Sequence, residues 1–142
     1  MAKSPRHIPN HYPEPLAALI LKAETYRQAS ILRQEIVTDL IEIVTHITEP
    51  GARRKLIHLI ERNLRAGLAA VEKAEKLWPD EKEAQQILQE KCSKPATAQK
   101  HLKLFKEFDQ VTKKSLQLLH ESHANIQIIL EKLNVPTAQA TG

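Results

Sequence analysis

Residues 96–134 read ATAQKHLKLFKEFDQVTKKSLQLLHESHANIQIILEKLN, and this stretch decides the fold. It contains neither Gly nor Pro, so it predicts one uninterrupted helix of about 39 residues, about 58 Å long. Spacings of three and four residues place one seam along it: Phe105, Phe108, Thr112, Ser115, Leu119, Ser122, Ile126, Ile129 and Leu133. Other helices must cover that seam.

The composition of the chain favours a single all-α domain. Its 142 residues are 42% hydrophobic and 27% charged, as in an ordinary soluble globular protein. Only three glycines occur, which is too few for the turns of a sheet-rich fold. Prolines instead divide the chain into helical segments.

Those prolines predict an antiparallel up-down bundle of three long helices, about 15–48, 51–78 and 96–134, with a short helix at about 80–92. Glu49 or Thr48 is expected to cap the second helix, and Asp80 with Glu83 to cap the third. Residues 1–14 are predicted to form a flexible Pro-rich arm, 15–134 the bundle, and 135–142 a flexible tail.

The first two helices each carry a seam of their own. The first has the heptad positions Leu16, Leu19, Ala23, Tyr26, Ser30, Arg33, Val37, Leu40, Val44 and Ile47, flanked by Ile20, Ile31, Leu32, Ile36, Ile41 and Ile43. That wide apolar face predicts at least two neighbouring helices. The second has Ile57, Ile60, Leu64, Gly67, Val71, Ala74 and Trp78, and Gly67 among alanines predicts a close helix crossing.

Charge and length together indicate possible partners. The final predicted helix is longer than the others and should overhang the bundle, which favours a protein partner or a second copy. The single Cys92 suits a reducing compartment, and we find neither a long apolar run nor a signal peptide, so a cytoplasmic protein without membrane contact is expected.

Two groups of basic residues predict possible nucleic-acid contacts, because lysine and arginine rows can follow a phosphate backbone. We call the first, on the second helix, the basic stripe: Arg54, His58, Arg62, Arg65, Lys73 and Lys76. We call the second, on the final helix, the lysine cluster: Lys100, Lys103, Lys106, Lys113 and Lys114. Glu61, Glu72 and Glu107 interrupt these faces, so ordinary solvated surfaces are the alternative interpretation.

The segment Arg53-Arg54-Lys55-Leu56-Ile57-His58 resembles the Arg-x4-His motif of HEPN helical nucleases over six residues. In that family the arginine steadies the scissile phosphate and the histidine acts in acid-base chemistry. Arg54 departs from the family pattern, which has a small polar residue after the arginine. The resemblance implies an RNase activity as a third hypothesis.

Polar residues near the middle of two seams form a further candidate site. Ser30, Arg33, Thr112, Ser115 and Ser122 could meet in one layer and line a groove for a partner's helix. The alternative is that Arg33 reaches out to the bundle edge.

Catalytic and metal-binding patterns are weak in this sequence. His120 and His123 stand three apart, but no Glu-x-x-His pair accompanies them, so a surface or boundary position is expected and no metal or cofactor. Cys92 has no evident base nearby, and a small-molecule substrate is not indicated. The leading hypothesis is a non-enzymatic adaptor, chaperone-like protein or small subunit; the alternative is a nucleic-acid-binding accessory subunit.

Overall fold

A computed structural model describes residues 12–133 and shows an all-α helical bundle over that range. The helices are α1 (Leu16–Val44), α2 (Pro50–Leu77), α3 (Glu81–Lys91) and α4 (Pro95–Leu133). The predicted fold class is confirmed. The first helix ends four residues earlier than predicted, because Thr45 and His46 form a turn whose N–H groups bond back to Ile41 and Ile43.

The capping residues explain where α2 and α3 begin. The Glu49 carboxylate accepts the N–H groups of Ala52 and Gly51 at 2.6 and 2.9 Å, and Pro50 occupies the first helical position. These hydrogen bonds, with Ala52 first, lower the pKa of Glu49. Asp80 accepts the N–H of Glu83 at 2.7 Å, as its spacing predicts.

Contacts between helices fix their directions. Ser30 meets Gly67, and Arg53 at the start of α2 meets Val44 at the end of α1, so these two helices are antiparallel. Arg27 meets Ser115 and Gln34 meets Ser122, so α1 and α4 run parallel. The result is an up-down-up arrangement in which α1 and α2 pack most closely and α1 and α4 are further apart.

The short helix α3 extends α2 past the break at Pro79. It packs on the first turns of α4, and Glu81 lies 3.1 Å from Lys106. Together α2 and α3 contain as many residues as α4. The prediction that the final helix overhangs the bundle is therefore wrong, because α3 of the same chain covers its first turns. A partner is not needed to cover that end.

The core consists of three apolar clusters along the bundle. Every predicted seam residue of α2 is buried. In α1 and α4 only every second predicted seam residue is fully buried. At several of the other positions the following residue is buried instead: Ile20 and Arg27 in α1, and Asp109, Leu116, His123 and Leu130 in α4. The prediction erred because Asp109 and His123 are polar, yet each finds a hydrogen-bond partner inside the bundle.

The packed domain begins before the predicted boundary at residue 15. Tyr12 is 4% exposed, joins the cluster that contains Leu16 and Phe105, and lies 5.6 Å from the His101 ring. Burial raises the pKa of Tyr12 to about 12. The rest of the predicted arm, residues 1–11, the predicted last helical residue 134 and the predicted tail, 135–142, lie outside the described residues.

Candidate functional site

Ser30, the first of the predicted groove residues, lies at the contact of three helices. Its Oγ–H donates to the Gly67 carbonyl at 2.7 Å, and its oxygen is 2.9 Å from His123 Nε2. A Cβ on Gly67 would stand 2.5 Å from His123 Cε1, so only glycine leaves room for this ring. The close crossing predicted at Gly67 is present.

The position of His123 corrects the expectation of a surface or boundary histidine, because it is 1% exposed. Since Ser30 donates its hydroxyl proton to Gly67, Nε2 must carry the proton that Ser30 accepts, and Nδ1 is the bare nitrogen. Nδ1 is buried and has no hydrogen-bond partner within residues 12–133. Burial lowers the pKa of His123, the neighbouring His120 adds to the lowering, and the contact with Ser30 opposes it.

Further polar contacts join α1 to α4. Arg27 forms a buried ion pair with Glu24 at 2.6 Å and donates to Ser115 Oγ at 3.1 Å. Gln34 donates to Ser122 Oγ seven residues, or about two turns, further along both helices. We call the set the polar layer: Glu24, Arg27, Ser30, Gln34, Ser115, Ser122 and His123.

The polar layer therefore accounts for most of the predicted groove. Ser30 and Thr112 are buried, and Ser115 and Ser122 are half-buried against α1. Thr112 Oγ1 has no hydrogen-bond partner among the described side chains and backbone. Arg33 is exposed and donates to Asn63 Oδ1 at 2.8 Å, so it reaches the bundle edge, as the alternative interpretation has it. An open groove for a partner's helix does not exist at these residues.

The Arg-x4-His motif does not bring its two residues together. The guanidinium of Arg53 donates to the Val44 and Ile47 carbonyls at 2.9 and 3.4 Å, where it satisfies the end of α1. His58 is exposed and lies 3.5 Å from Glu61. Five residues turn a helix by about 140° beyond one full turn, so these side chains leave α2 in different directions.

The basic stripe and the lysine cluster are solvent-exposed at every predicted residue. Arg62 and Arg65 have no acidic partner within ion-pair distance in the described chain, and Lys73 lies over the Tyr26 ring. The lysine cluster is partly neutralised, because Lys106 pairs with Glu81 and Lys113 with Asp109. The two groups are separate surfaces on different helices.

Metal-ligand geometry is absent from the described residues: no three His, Cys, Asp or Glu side chains converge. His120 pairs with Glu75 at 3.2 Å, and Asp109 accepts the Trp78 indole N–H at 2.6 Å. Over the same part of the chain, no helix has both the length and the apolar character of a membrane span.

A surface that sequence reasoning assigned differently lies on α1 and α4. We call it the apolar face, and its members are 47% to 59% exposed: Leu21, Leu32, Ile43, Val111, Leu118 and Ile129. Leu32 and Ile43 were expected to widen the buried face of α1, and Ile129 to lie on the α4 seam. They are exposed because the true seams are shifted by one residue.

The apolar face runs along the exposed sides of α1 and α4. Eleven residues make about three helical turns, so Leu21, Leu32 and Ile43 form a line along α1. Val111 and Leu118 flank Ser115, which contacts α1, by four and three residues, so their row runs beside the α1–α4 contact. Leu32 stands five residues, or about 140°, from Arg27 and points away from that contact. The apolar face therefore consists of two separate rows, one on each helix.

Comparison with protein-family models, with curated proteins and with solved structures gave no match for this chain.

Proposed function

We propose that this chain is a non-enzymatic helical subunit that acts through protein–protein contacts, with the apolar face as its binding surface. The observation that supports the proposal is the exposure of large apolar side chains that are aligned in rows along α1 and α4, since aligned exposed apolar residues mark interaction sites more often than single scattered ones do. The polar layer beneath holds α1 and α4 in place without needing those side chains for the core.

A comparison of surface variants tests this proposal. Leu118→Lys places a charge in the centre of the apolar face, whereas Leu59→Lys places the same charge at an exposed leucine of α2. Tagged wild type and both variants are used in affinity capture with mass spectrometry, with and without nuclease. Proteins bound by wild type and Leu59→Lys but lost on Leu118→Lys support the proposal. Equal protein recovery on all three baits contradicts it.

A second candidate function is nucleic-acid binding by the basic stripe. It is favoured by the exposure of Arg62 and Arg65 without acidic partners in the described chain. Phosphate contacts of this kind release counterions, so binding should fall steeply as salt rises.

Charge reversal tests the second candidate. Arg54, Arg62 and Arg65 are changed to Glu, and the matched control changes the exposed Lys22, Lys82 and Lys91 to Glu, which alters the net charge equally. Binding to single-stranded RNA and to DNA is measured by fluorescence anisotropy at several salt concentrations. Selective loss in the arginine variant supports the function; retention of neither polymer by wild type at low salt removes it.

A further inference from the structure

Helix α1 carries large apolar side chains on two opposite sides. Leu21, Leu32 and Ile43, which we call the α1 row, are 49% to 59% exposed. They stand about 120–160° around the helix from Arg27, which contacts α4. Ile36 lies between Leu32 and Ile43 on the same side and is half-buried. A helix that is apolar all round is normally covered all round, whereas the described bundle leaves the α1 row open.

The shape of the α1 row fits the apolar stripe of a second helix. Its members follow one another at eleven-residue intervals, so the row runs almost parallel to the axis of α1 over about 33 Å. The backbone N–H and C=O groups along α1 are bonded within the helix, so a strand cannot add to this surface as it adds to a sheet edge. Two helices that pack side by side need only aligned apolar side chains.

Three exposed carboxylates border the row along the second half of α1, and we call them the acidic edge: Glu35, Asp39 and Glu42. Glu35 follows Leu32 by three residues and Asp39 follows Ile36 by three, so each acid is a surface neighbour of the apolar side. None of the three carboxylates lies within ion-pair distance of a basic side chain in the part of the chain that the structure describes.

The acidic edge is unfavourable to α1 alone. Glu35 and Asp39 are four residues apart and Asp39 and Glu42 three, and like charges at these spacings repel on a helix. Glu42 also lies in the last turn, which contains no basic residue, beside the negative end of the helix dipole. The sequence has no Lys or Arg between Arg33 and Arg53, although the whole chain has a net charge of +4. A cationic partner would relieve this repulsion.

We propose that the α1 row binds a basic amphipathic helix of a partner protein. The apolar side chains of that helix pack on the row, and its Lys or Arg side chains lie beside the acidic edge. The inference rests on the proposed function and names the chemistry of the partner. The three carboxylates repel phosphate groups, so they disfavour nucleic acid and anionic lipid as occupants of this row.

Synthetic helical peptides of defined charge test the proposal. The probe is a fluorescein-labelled peptide of about 22 residues, the length of the row, with Leu at spacings of three and four and Lys elsewhere. One control peptide has Glu in place of Lys, and another has the Leu/Lys composition in scrambled order. Fluorescence anisotropy at physiological salt should show about tenfold or more tighter binding of the probe than of either control. Because the whole chain is net positive, non-specific charge attraction opposes this result.

Substitution of two exposed leucines locates the binding surface. Leu32→Lys places a charge in the middle of the α1 row and should weaken binding of the probe about tenfold or more. Leu59→Lys places the same charge at an exposed leucine of α2 and should bind the probe as wild type does. Circular dichroism checks that both variants remain helical.

Neutralisation of the acidic edge tests the contribution of charge. Glu35→Gln/Asp39→Asn/Glu42→Gln should weaken binding of the probe about fivefold or more and reduce its preference over the Leu/Glu peptide. The melting temperature of this variant should equal or exceed that of wild type, because repulsion within α1 is removed. A matched control, which should bind the probe as wild type does, changes three exposed acids elsewhere to Gln: Glu72, Glu107 and Glu131.

Several results overturn the inference. They are a wild type that binds no peptide, equal binding of the Leu/Lys and Leu/Glu peptides, and a Leu32→Lys or acidic-edge variant that binds the probe as wild type does. A wild-type dimer that Leu32→Lys converts to a monomer, measured by light scattering, would make a second copy the occupant and also overturn it. The proposed function is tested separately, because partner proteins that Leu118→Lys loses support it even where the peptides do not bind. Absence of peptide binding together with equal protein recovery on all baits contradicts both.

Discussion

Gly67 lies at a close contact of α1, α2 and α4. In most helices Gly→Ala adds about 1 kcal/mol of stability. Here we expect Gly67→Ala to destabilise the protein by about 1–3 kcal/mol, because its Cβ would overlap the His123 ring. Urea unfolding monitored by circular dichroism measures this change.

A double-mutant cycle supplies the control for the substitution at Gly67. In the His123→Ala background the overlap is gone, and the nearest remaining atom, Arg33 Cβ at 3.1 Å, needs only a small shift. Gly67→Ala should then be neutral or stabilising. If its cost is the same in both backgrounds, the close crossing is not what requires glycine.

His123 predicts a dependence of stability on pH. Its folded pKa is lowered, so the unfolded state binds the proton more readily. The contribution of neutral His123 to the free energy of unfolding is fully present above the unfolded pKa of 6.5. It is lost as the pH falls from there toward the folded pKa, by at most about 1.4 kcal/mol per pH unit. Besides burial, the groups that act on the pKa of His123 are Ser30 on α1 and His120 on α4, and neither is an acid that could stabilise the cation.

Unfolding free energies at pH 7.5, 6.5 and 5.5 test this dependence. His123→Gln should flatten the profile below pH 6.5, whereas His58→Gln, which replaces an exposed histidine, should leave it as in wild type. A wild-type profile that His123→Gln leaves unchanged would show that other groups cause the pH dependence.

At the scale of the elements, the ion pair Glu24–Arg27 joins α1 to α4 through Ser115. Both side chains are less than a tenth exposed. Arg27→Met should cost about 3–5 kcal/mol, because it leaves a buried carboxylate without this cation. The double variant Glu24→Gln/Arg27→Met should cost clearly less, as measured by thermal unfolding. Equal losses in both variants would contradict this account.

Helix α3 covers the first turns of α4. Leu88 is 1% exposed and packs α3 against the start of α4. Leu88→Ala should destabilise the protein by about 2–5 kcal/mol, whereas Leu102→Ala, a half-buried residue in the same cluster, should cost less. Denaturant titration compares the two. A negligible loss for Leu88→Ala would mean that α3 is not anchored to α4.

Several elements could be predicted from the sequence because their signals are local. Glu49 and Pro50 set the start of α2, and Asp80, directly after Pro79, sets the start of α3. Each of these signals acts on residues next to it in the sequence. The phase of the α1 and α4 seams could not be predicted in this way. Asp109 is buried because Trp78 donates to it, and His123 because Gly67 makes room for it, and both partners are remote in sequence.

At the scale of the whole molecule, the basic stripe could be predicted from the sequence and the apolar face could not. The basic stripe follows from helical periodicity, and its residues are exposed as that periodicity requires. The apolar face did not follow, because a leucine on a wide apolar helix can belong to the core or the surface, and the partner helices decide which. Leu32 is exposed only because α4 contacts α1 through Arg27 and Gln34.

The parallel course of α1 and α4 has a mechanical consequence. Tyr12 lies with the cluster at the start of both helices, and Leu133 lies with the cluster at their far end. Tyr12 packs on His101, so the described chain begins and ends at opposite ends of the bundle, about 48 Å apart along α4 from His101 to Leu133. The helical bundle would therefore hold a label attached near Tyr12 and another attached near Leu133 at a fixed separation.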